Sequence, residues 1–224
     1  MRELDLVAFD VDGTLVVHDQ GQTVWEVLNR RFTGDDGWNP QRYQEYLAGK
    51  ISYADWVAMD VEGWRAGGAT RESLIDAFAP LRLVEGTREA LIRLREAGMR
   101  TVVISGTLDL LLHTLLPDPP FDEIYCNHIA FDGQGQIAHW QATPFDMEGK
   151  AVCLRAVALR EGIPLERCGF VGDSSNDVWI ARTAGRAVAF NPNNTELEAA
   201  CQAVVRSRDL RDVLPHLGVE QDSS

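Results

Sequence analysis

The stretch LDLVAFDVDGTL, residues 4–15, decides the fold, because an apolar run ends there in two closely spaced carboxylates. Residues 4–9 alternate and then become continuously apolar, which is typical of a buried parallel strand. Asp10 and Asp12 follow directly, so both emerge at the carboxyl end of that strand, where the chain must turn. Like charges this close are unfavourable unless they share a cation or a proton. A turn in which Asp and Gly merely supply loop geometry is the alternative.

The rest of the chain alternates between strand and helix patterns. Short β-rich runs recur at residues 100–104, 123–126, 168–171 and 186–190. Helical patterns that end at Gly or Pro lie between them, at residues 87–97, 108–116, 150–160 and 175–183. Two runs within residues 124–140 flank the turn-rich residues 132–135 and predict a β-hairpin. The alternation predicts an α/β fold with an open, mostly parallel, Rossmann-like sheet, whose ligands bind beyond the carboxyl ends of the strands.

Residues 17–83 break this alternation. They offer helix patterns without a convincing strand, at residues 23–32, 40–48, 53–66 and 71–78. We therefore predict a core domain formed by residues 1–16 and 84–219, a helical cap domain formed by residues 17–83, and a disordered tail at residues 220–224. Because the insertion leaves the core right after the first strand, it is expected to stand over the ligand-binding edge as a lid.

Composition narrows the class of partner. The 224 residues carry 34 acidic and 21 basic side chains, a formal net charge of -13, which argues against nucleic acid as a partner. The start of the chain is not patterned as a signal peptide, and no apolar run reaches the roughly 18 residues of a membrane helix. The four cysteines lie far apart and are read as reduced thiols. We expect a cytoplasmic protein that binds no membrane; the sequence leaves its oligomeric state open.

Three further segments place polar groups after a predicted strand or at the start of a helix. The Ser105 hydroxyl and the amides around Gly106 are positioned to face an anion, although Ser-Gly-Thr is equally explained as a helix cap. Lys150 lies at the start of a helix, where the dipole disfavours a cation, so either an anionic partner or full solvation would explain it. Asp173 and Asp177, in the segment GDSSND, are oxygen ligands suited to Mg²⁺.

The order DVDGTL, SGT, Lys and GDSSND resembles the motif set of the haloacid dehalogenase-like hydrolase superfamily, over residues 4–214. A helical insertion between the first two motifs looks most like the phosphoserine phosphatase-like group. The resemblance implies that Asp10 is the nucleophile and Asp12 the general acid and base. It also implies a set of phosphate-binding residues, Ser105, Gly106, Lys150 and Asn176, and a set of Mg²⁺ ligands, Asp10, Asp12 (through its backbone carbonyl), Asp173 and Asp177.

The function that the resemblance implies is Mg²⁺-dependent hydrolysis of a small phosphorylated metabolite through an aspartyl-phosphate on Asp10. Asp12 favours phosphoryl transfer over carbon–halogen cleavage, because only the former has an alkoxide leaving group that needs an acid. Four alternatives stay open: phosphoserine phosphatase specifically, a phosphotransferase or mutase, a receiver-like signalling module, and a non-catalytic binding module.

Candidate substrate-reading residues in the insertion are Asp19, Tyr53, Trp56 and Asp60. Phosphoserine phosphatases are known to read their substrate with an acidic residue and an arginine, and Asp19 stands where the acid is expected. Asp60 stands where the arginine is expected, unless Arg65 or Arg71 substitutes. Together with the acidic residues, Trp56 and Trp64 favour a cationic or neutral phosphomonoester; the alternative is that the tryptophans form the core of a helical bundle.

Overall fold

A computed structural model describes residues 3–34 and 40–220 of the chain. The described residues contain nine strands: β1 Leu6–Phe9, β2 Val16–His18, β3 Leu81–Leu83, β4 Arg100–Leu108, β5 Glu123–Phe131, β6 Ile137–Gln141, β7 Cys168–Gly172, β8 Arg186–Phe190 and β9 Ala203–Val205. Seven of them form one sheet in the order β6-β5-β4-β1-β7-β8-β9. All neighbours in that sheet are parallel except the β5–β6 hairpin. The fold is therefore the predicted α/β architecture with a mostly parallel sheet.

Strand β1 lies in the middle of this sheet and fixes where the polar segments meet. Its last residue, Phe9, pairs with Val103 of β4 on one side and with Val171 of β7 on the other. The carboxyl ends of β1 and β7 thus lie level with Val103 of β4, shortly before Ser105, at one edge of the sheet. We call this edge, where the chain continues into the candidate site residues Asp10 and Asp173, the catalytic edge, after the role that the sequence predicts for it.

Helices cover both faces of the sheet. They are α5 Thr87–Glu96, α6 Asp109–Leu115, α7 Glu148–Glu161, α8 Val178–Thr183 and α9 Thr195–Ala200, with a 3₁₀ helix at Leu210–Leu217. Because side chains alternate along a strand, β1 supplies Val7 and Phe9 to one apolar core and Leu6 and Ala8 to the other. The first core includes α5, α6 and the 3₁₀ helix, and the second includes α7, α8 and α9. The sheet is buried on both sides, which explains the continuously apolar strand sequences.

Four helices lie between β2 and β3: α1 Val24–Thr33, α2 Pro40–Leu47, α3 Tyr53–Ala66 and α4 Arg71–Ala77. We call residues 24–77 the helical insert. Thr23, Ser52 and Thr70 begin α1, α3 and α4 with reciprocal capping-box hydrogen bonds, which define where these helices start. Trp64 is fully buried within the insert. Among the described residues, no helix is both long enough and apolar enough to cross a bilayer.

The structure departs from the sequence-based prediction at several element boundaries. Residues 17–83 were expected to lack strands, but β2 and β3 pair antiparallel there, with Val16 opposite Leu83. Each of these strands has only three residues, too few to show a period-two pattern. Strand β9 was likewise not predicted. The β5–β6 hairpin was predicted correctly. Residues 221–224 of the predicted disordered tail lie outside the described residues.

The segment Ser105-Gly106-Thr107 is not a helix cap, contrary to one of the two explanations considered. Strand β4 continues through it to Leu108, with an irregular register against β5. Helix α6 begins only at Asp109, and its N-cap residue Leu108 makes no side-chain capping bond. The parallel pairing with β5, which resumes at Leu108, thus extends the strand beyond Gly106, a residue type that usually marks the end of a strand.

Candidate active site

The ammonium group of Lys150 lies at the centre of the catalytic edge. It donates to Asp10 Oδ1 and to Asp177 Oδ1, both at 2.6 Å. The lysine side chain is completely buried, so the alternative of a solvated lysine is wrong. Burial disfavours its charged form, but the adjacent carboxylates of Asp10 and Asp177 outweigh this and hold the pKa of Lys150 well above its ordinary value. Lys150 is therefore a fixed positive charge between two segments that are far apart in the sequence.

Asp173 and Asp177 complete a carboxylate cluster around this charge. Asp177 Oδ2 accepts hydrogen bonds from the backbone amides of Asp173, at 2.9 Å, and Ser174, at 3.3 Å. Desolvation raises the pKa of Asp177 to about 6, despite the opposing effect of Lys150. Desolvation, reinforced by repulsion from Asp177 and Asp10, also raises the pKa of Asp173 well above its ordinary value. The cluster is thus short of positive charge.

The same cluster fits a divalent cation. Oxygen atoms of Asp10, Asp173 and Asp177 lie within 4.8 Å of one another. Asp173 Oδ1 is buried and has no hydrogen-bond partner, which is costly for an anionic oxygen unless an ion or water satisfies it. Both oxygens of Asp177, in contrast, are already bonded to Lys150 and to backbone amides. Hard oxygen ligands of this kind suit Mg²⁺.

Two glycines allow the carboxylates to approach the backbone. A Cβ atom on Gly13 would lie 2.2 Å from Asp173 Oδ2, and Gly13 also has a φ of +88°, which favours glycine. A Cβ atom on Gly172 would lie 2.3 Å from Asp177 Oδ2. The glycines of the first and last motifs therefore make room for the acidic residues of the last one.

Asp12 lies where the catalytic edge meets the helical insert. Its Oδ1 accepts a hydrogen bond of 2.9 Å from the backbone amide of Val24, the first residue of α1. Desolvation raises the pKa of Asp12 to about 6, with a smaller contribution from the charge of Asp10. Asp12 is only partly buried. A carboxyl group with such a pKa exchanges protons near neutral pH, as a general acid and base must.

Ser105 and Gly106 lie on β4, next to β1. Ser105 is buried, and its hydroxyl accepts a hydrogen bond of 3.2 Å from the amide of Thr107. The carbonyl of Gly106 accepts three hydrogen bonds, from Trp25 Nε1 at 2.8 Å, Asn127 Nδ2 at 2.7 Å and the Tyr53 hydroxyl at 3.4 Å. Two of these donors belong to the helical insert and one to the sheet. Gly106 is thus the point where the insert is hydrogen-bonded to the catalytic edge.

Asn176 is linked to an acidic residue that the sequence reasoning missed. Its Nδ2 donates to Asp146 Oδ1 at 2.8 Å, and the same oxygen accepts the amide of Met147 at 2.9 Å. Asp146 also contributes to the raised pKa of Lys150. Its spacing of four residues before Lys150, directly ahead of a helix, was the available signal. Trp25 and Asn127 carry no comparable signal, because only the folded chain brings them to Gly106.

A cavity of about 390 Å³ adjoins Asn176 and opens between the helical insert and the sheet. Its lining includes three aromatic and three acidic residues, and consists of Thr23, Trp25, Glu26, Tyr53, Trp56, Val57, Asp60, Asp146, Met147, Ser174, Ser175, Asn176 and Asn193. We call it the outer cavity. Three of the four candidate substrate-reading residues, Tyr53, Trp56 and Asp60, line it.

The fourth candidate, Asp19, does not line the outer cavity. Its carboxylate is exposed and pairs with Arg82 at 2.6 Å. It lines a separate surface cavity, together with His18. The cause is the β2–β3 pairing, which places His18 opposite Leu81 and directs the chain that follows away from the catalytic edge.

The other residues weighed for substrate reading have different positions. Asp60 is buried and pairs with Arg42 at 2.6 Å, a guanidinium from a neighbouring helix that the sequence comparison did not consider. Arg65 lies over the Trp140 ring, 5.8 Å from its centroid, and lines another cavity. Trp64 is fully buried and packs in the bundle, so for this tryptophan the core explanation is correct.

Comparison with known proteins agrees with this geometry. Residues 7–182 match the family profile described as haloacid dehalogenase-like hydrolase. The chain is 26% identical over 190 residues to a phosphoserine phosphatase of Archaeoglobus fulgidus, and this alignment covers 85% of this chain and 53% of the relative. It is 30% identical over 202 residues to a phosphoserine phosphatase of Mycobacterium tuberculosis, and this alignment covers 89% of this chain and 47% of the relative.

The chain therefore spans about half the length of these two curated relatives. A solved structure, a phospho-aspartyl intermediate analogue of phosphoserine phosphatase, superimposes with a TM-score of 0.74 at 23% identity. That alignment covers 96% of this chain and 99% of the other, and it shows a shared fold over nearly the whole length.

Proposed function

The chain belongs to the haloacid dehalogenase-like hydrolase family, and from this premise we propose that it is a Mg²⁺-dependent phosphatase of small phosphorylated metabolites. One observation carries the proposal: the buried ammonium of Lys150 bridges Asp10 and Asp177, while Asp12 lies two residues further on with a pKa raised to about 6. A fixed cation beside a nucleophilic carboxylate and a proton donor are the parts that phosphoryl transfer needs.

In the first half-reaction, a carboxylate oxygen of Asp10 attacks phosphorus and forms an O–P bond as the ester O–P bond breaks. Asp12, in its protonated form, gives its proton to the departing alkoxide, so the leaving group departs as a neutral alcohol. Lys150 keeps Asp10 in place and offsets negative charge on the phosphoryl oxygens. Ser105, the amide of Gly106 and Asn176 are proposed as further donors to these oxygens.

In the second half-reaction, Asp12 takes a proton from water, which attacks the aspartyl-phosphate and releases inorganic phosphate. The same carboxyl group thus serves as acid and then as base. The pKa of about 6 supports this double role, because both protonation states of Asp12 are populated near neutral pH.

Mg²⁺ is proposed to bind among the oxygens of Asp10 and Asp173 and the backbone carbonyl of Asp12. The buried, unpartnered Asp173 Oδ1 is the atom that most needs it. Asp177 is proposed to hold this arrangement through Lys150 and the amide of Asp173, rather than to offer a free oxygen. The ion would neutralise charge on the phosphoryl group and on the carboxylates.

We also propose a domain organisation, a cellular location and a class of partner for the protein. Residues 17–83 are proposed to act as a cap on a core formed by residues 1–16 and 84–219, supported by the hydrogen bonds of Trp25 and Tyr53 to Gly106. A cytoplasmic location is supported by the four cysteines, all of which are free thiols. The acidic net charge supports the absence of nucleic acid among the partners.

The test is phosphate release from a panel of phosphomonoesters, with Mg²⁺ and with a chelator. We expect release that requires the metal, together with an acid-stable, base-labile phosphoenzyme that is lost in Asp10→Asn. Transfer of the phosphoryl group to a second alcohol, seen by product analysis, would identify a phosphotransferase instead. Folded protein that binds the esters but releases no phosphate would identify a binding module.

A further inference from the structure

The outer cavity lies beside the catalytic edge but is built from different chemistry. Asn176 and Asp146 border it on the side of the sheet, and residues of α1 and α3 border it on the side of the insert. A phosphomonoester whose phosphate reaches Lys150 would leave its alcohol portion in this cavity. In that arrangement, the lining would select the alcohol portion of the substrate.

Three aromatic rings line the outer cavity, and neighbouring rings hold each of them in place. Trp25 stacks on buried Trp64, with ring centroids 5.1 Å apart. Tyr46 packs against both Tyr53 and Trp56, at centroid distances of 6.4 and 6.0 Å. Rings fixed in this way form a rigid aromatic wall, and aromatic faces attract ammonium groups.

The charged side chains that line the outer cavity are acidic. They are Glu26, Asp60 and Asp146, and among the described residues no lysine or arginine lines it. Asp60 is paired with Arg42, which cancels its charge. Glu26 and Asp146 make no ion pair within the described residues and are bonded instead to neutral donors, among them the Thr23 backbone amide at 2.7 Å and Asn176. The side chains that line the cavity therefore carry a net negative charge.

We propose that the outer cavity binds a positively charged group of the substrate, so that the preferred substrates are phosphomonoesters of amino alcohols. This inference rests on the proposed phosphatase function. The aromatic wall receives the ammonium group, and Glu26 and Asp146 supply its counter-charge. A substrate carboxylate would lie near the same acidic groups, so an amino-acid phosphate is accepted less well than the corresponding amine.

The experiment compares kcat/KM for two-carbon phosphomonoesters that differ only in the charge of the terminal group. They are 2-aminoethyl phosphate, 2-hydroxyethyl phosphate and phosphoglycolate, with phosphoserine as a fourth and 4-nitrophenyl phosphate as a generic ester. We expect the amine to exceed the neutral alcohol by about tenfold or more, as a partly desolvated cation–aromatic contact gives. The carboxylate ester is expected to be slowest.

Two variants assign the preference to the cavity. Glu26→Gln keeps the capping box of α1 but removes the charge, and should lower kcat/KM for the amine several-fold while leaving the neutral ester unchanged. Trp56→Leu should do the same, and Trp56→Phe should retain much of the preference. Glu62→Gln is the matched control, because Glu62 lies on the same helix as Trp56 but lines a different cavity.

The outcomes separate this inference from the function on which it rests. Turnover of 4-nitrophenyl phosphate without any preference for the amine overturns the inference and leaves the phosphatase intact. Equal losses for all esters in Glu26→Gln overturn it as well. If no ester is turned over, the phosphatase proposal fails, and calorimetric binding of the amine and the neutral ester to the wild-type protein decides the inference: tighter binding of the amine supports it, and equal binding overturns it.

Discussion

The catalytic edge and the outer cavity hold their polar groups in opposite ways. At the edge, Asp10, Lys150 and Asp177 are buried, and each bonds to another charged group. In the cavity, Glu26 and Asp146 remain partly exposed and bond to neutral partners, beside aromatic rings. Removal of one partner of a buried pair leaves the other charge buried and unpaired, which is costly. Removal of a half-exposed charge that is bonded to neutral groups leaves no such charge behind. The edge should therefore tolerate almost no change, and the cavity should tolerate substitutions that redirect specificity.

The largest expected difference is between Asp10 and Asp19, two aspartates that the sequence predicts to belong to the same active site. Asp10→Asn removes the proposed nucleophile and should lower kcat at least about 10⁴-fold. Asp19→Asn should change kcat/KM less than threefold, since Asp19 is exposed and paired with Arg82 away from the outer cavity. Steady-state phosphate release measures both. A large loss in Asp19→Asn would mean that the insert changes position when substrate binds.

Gly13 tests how little space the catalytic edge leaves. In Gly13→Ala, the new Cβ would lie 2.2 Å from Asp173 Oδ2, so the carboxylate must move and activity should fall about 100-fold or more. Gly21→Ala is the control, because Gly21 also has a positive φ, +71°, but has nothing within 4 Å of the added atom. Both variants should lose about 1–2 kcal/mol of stability from backbone strain, and only the first should lose activity. Equal activities would show that Asp173 is free to relax.

A smaller effect is expected where the insert bonds to the edge. Trp25→Phe keeps an aromatic ring but removes the donor to the Gly106 carbonyl, which Asn127 still holds. One such hydrogen bond corresponds to a loss of about 3- to 10-fold in kcat/KM. Trp140→Phe, in a ring that packs with Arg65 elsewhere, is the control and should be neutral. No loss in Trp25→Phe would remove the evidence that this bond holds the insert on the edge.

A final prediction concerns stability rather than rate. The pKa of Asp12 is raised from 3.8 to about 6 in the folded protein, so the folded state binds a proton more tightly than the unfolded state. Its contribution to the free energy of unfolding is therefore present below about pH 4 and lost as the pH rises through 6, by at most about 3 kcal/mol. Denaturant unfolding of wild type and Asp12→Asn, both in chelator, should show this difference. A difference that does not change between pH 4 and 7 would contradict it.

The two regions also differed in how far the sequence could predict them. Asp10 and Asp173 follow apolar strands, and Ser105 follows the apolar run 100–104 within β4. Parallel pairing brings these points together, so local patterns sufficed for the α/β fold and for the choice of candidate residues. The lining of the cavity depends on how helices pack. Neither the pairing of Arg42 with Asp60 nor the bond from Trp25 to Gly106 follows from any local pattern.

The position of Asp19 away from the outer cavity has a more specific cause. The assignment of Asp19 from its distance to the first motif assumes that the chain after this motif continues toward the substrate. Strand β2 has only three residues and was not predicted, yet its pairing with β3 turns Asp19 toward Arg82. Trp56 and Trp64 illustrate the same limit, since eight positions along one helix separate a cavity residue from a fully buried one.

The β2–β3 ribbon has a consequence for how such proteins diversify. Because Val16 pairs with Leu83, the two ends of the segment that carries the helical insert lie beside each other, about 5 Å apart as in any antiparallel pair. The β2–β3 pairing therefore holds the ends of this segment together outside its helices. This closure does not depend on the structure of the residues in between. A graft of longer, shorter or unrelated sequence between these two strands would meet the same anchor points. Evolution could therefore exchange the helical insert, which we propose to be a cap, while the residues of the catalytic edge stay unchanged.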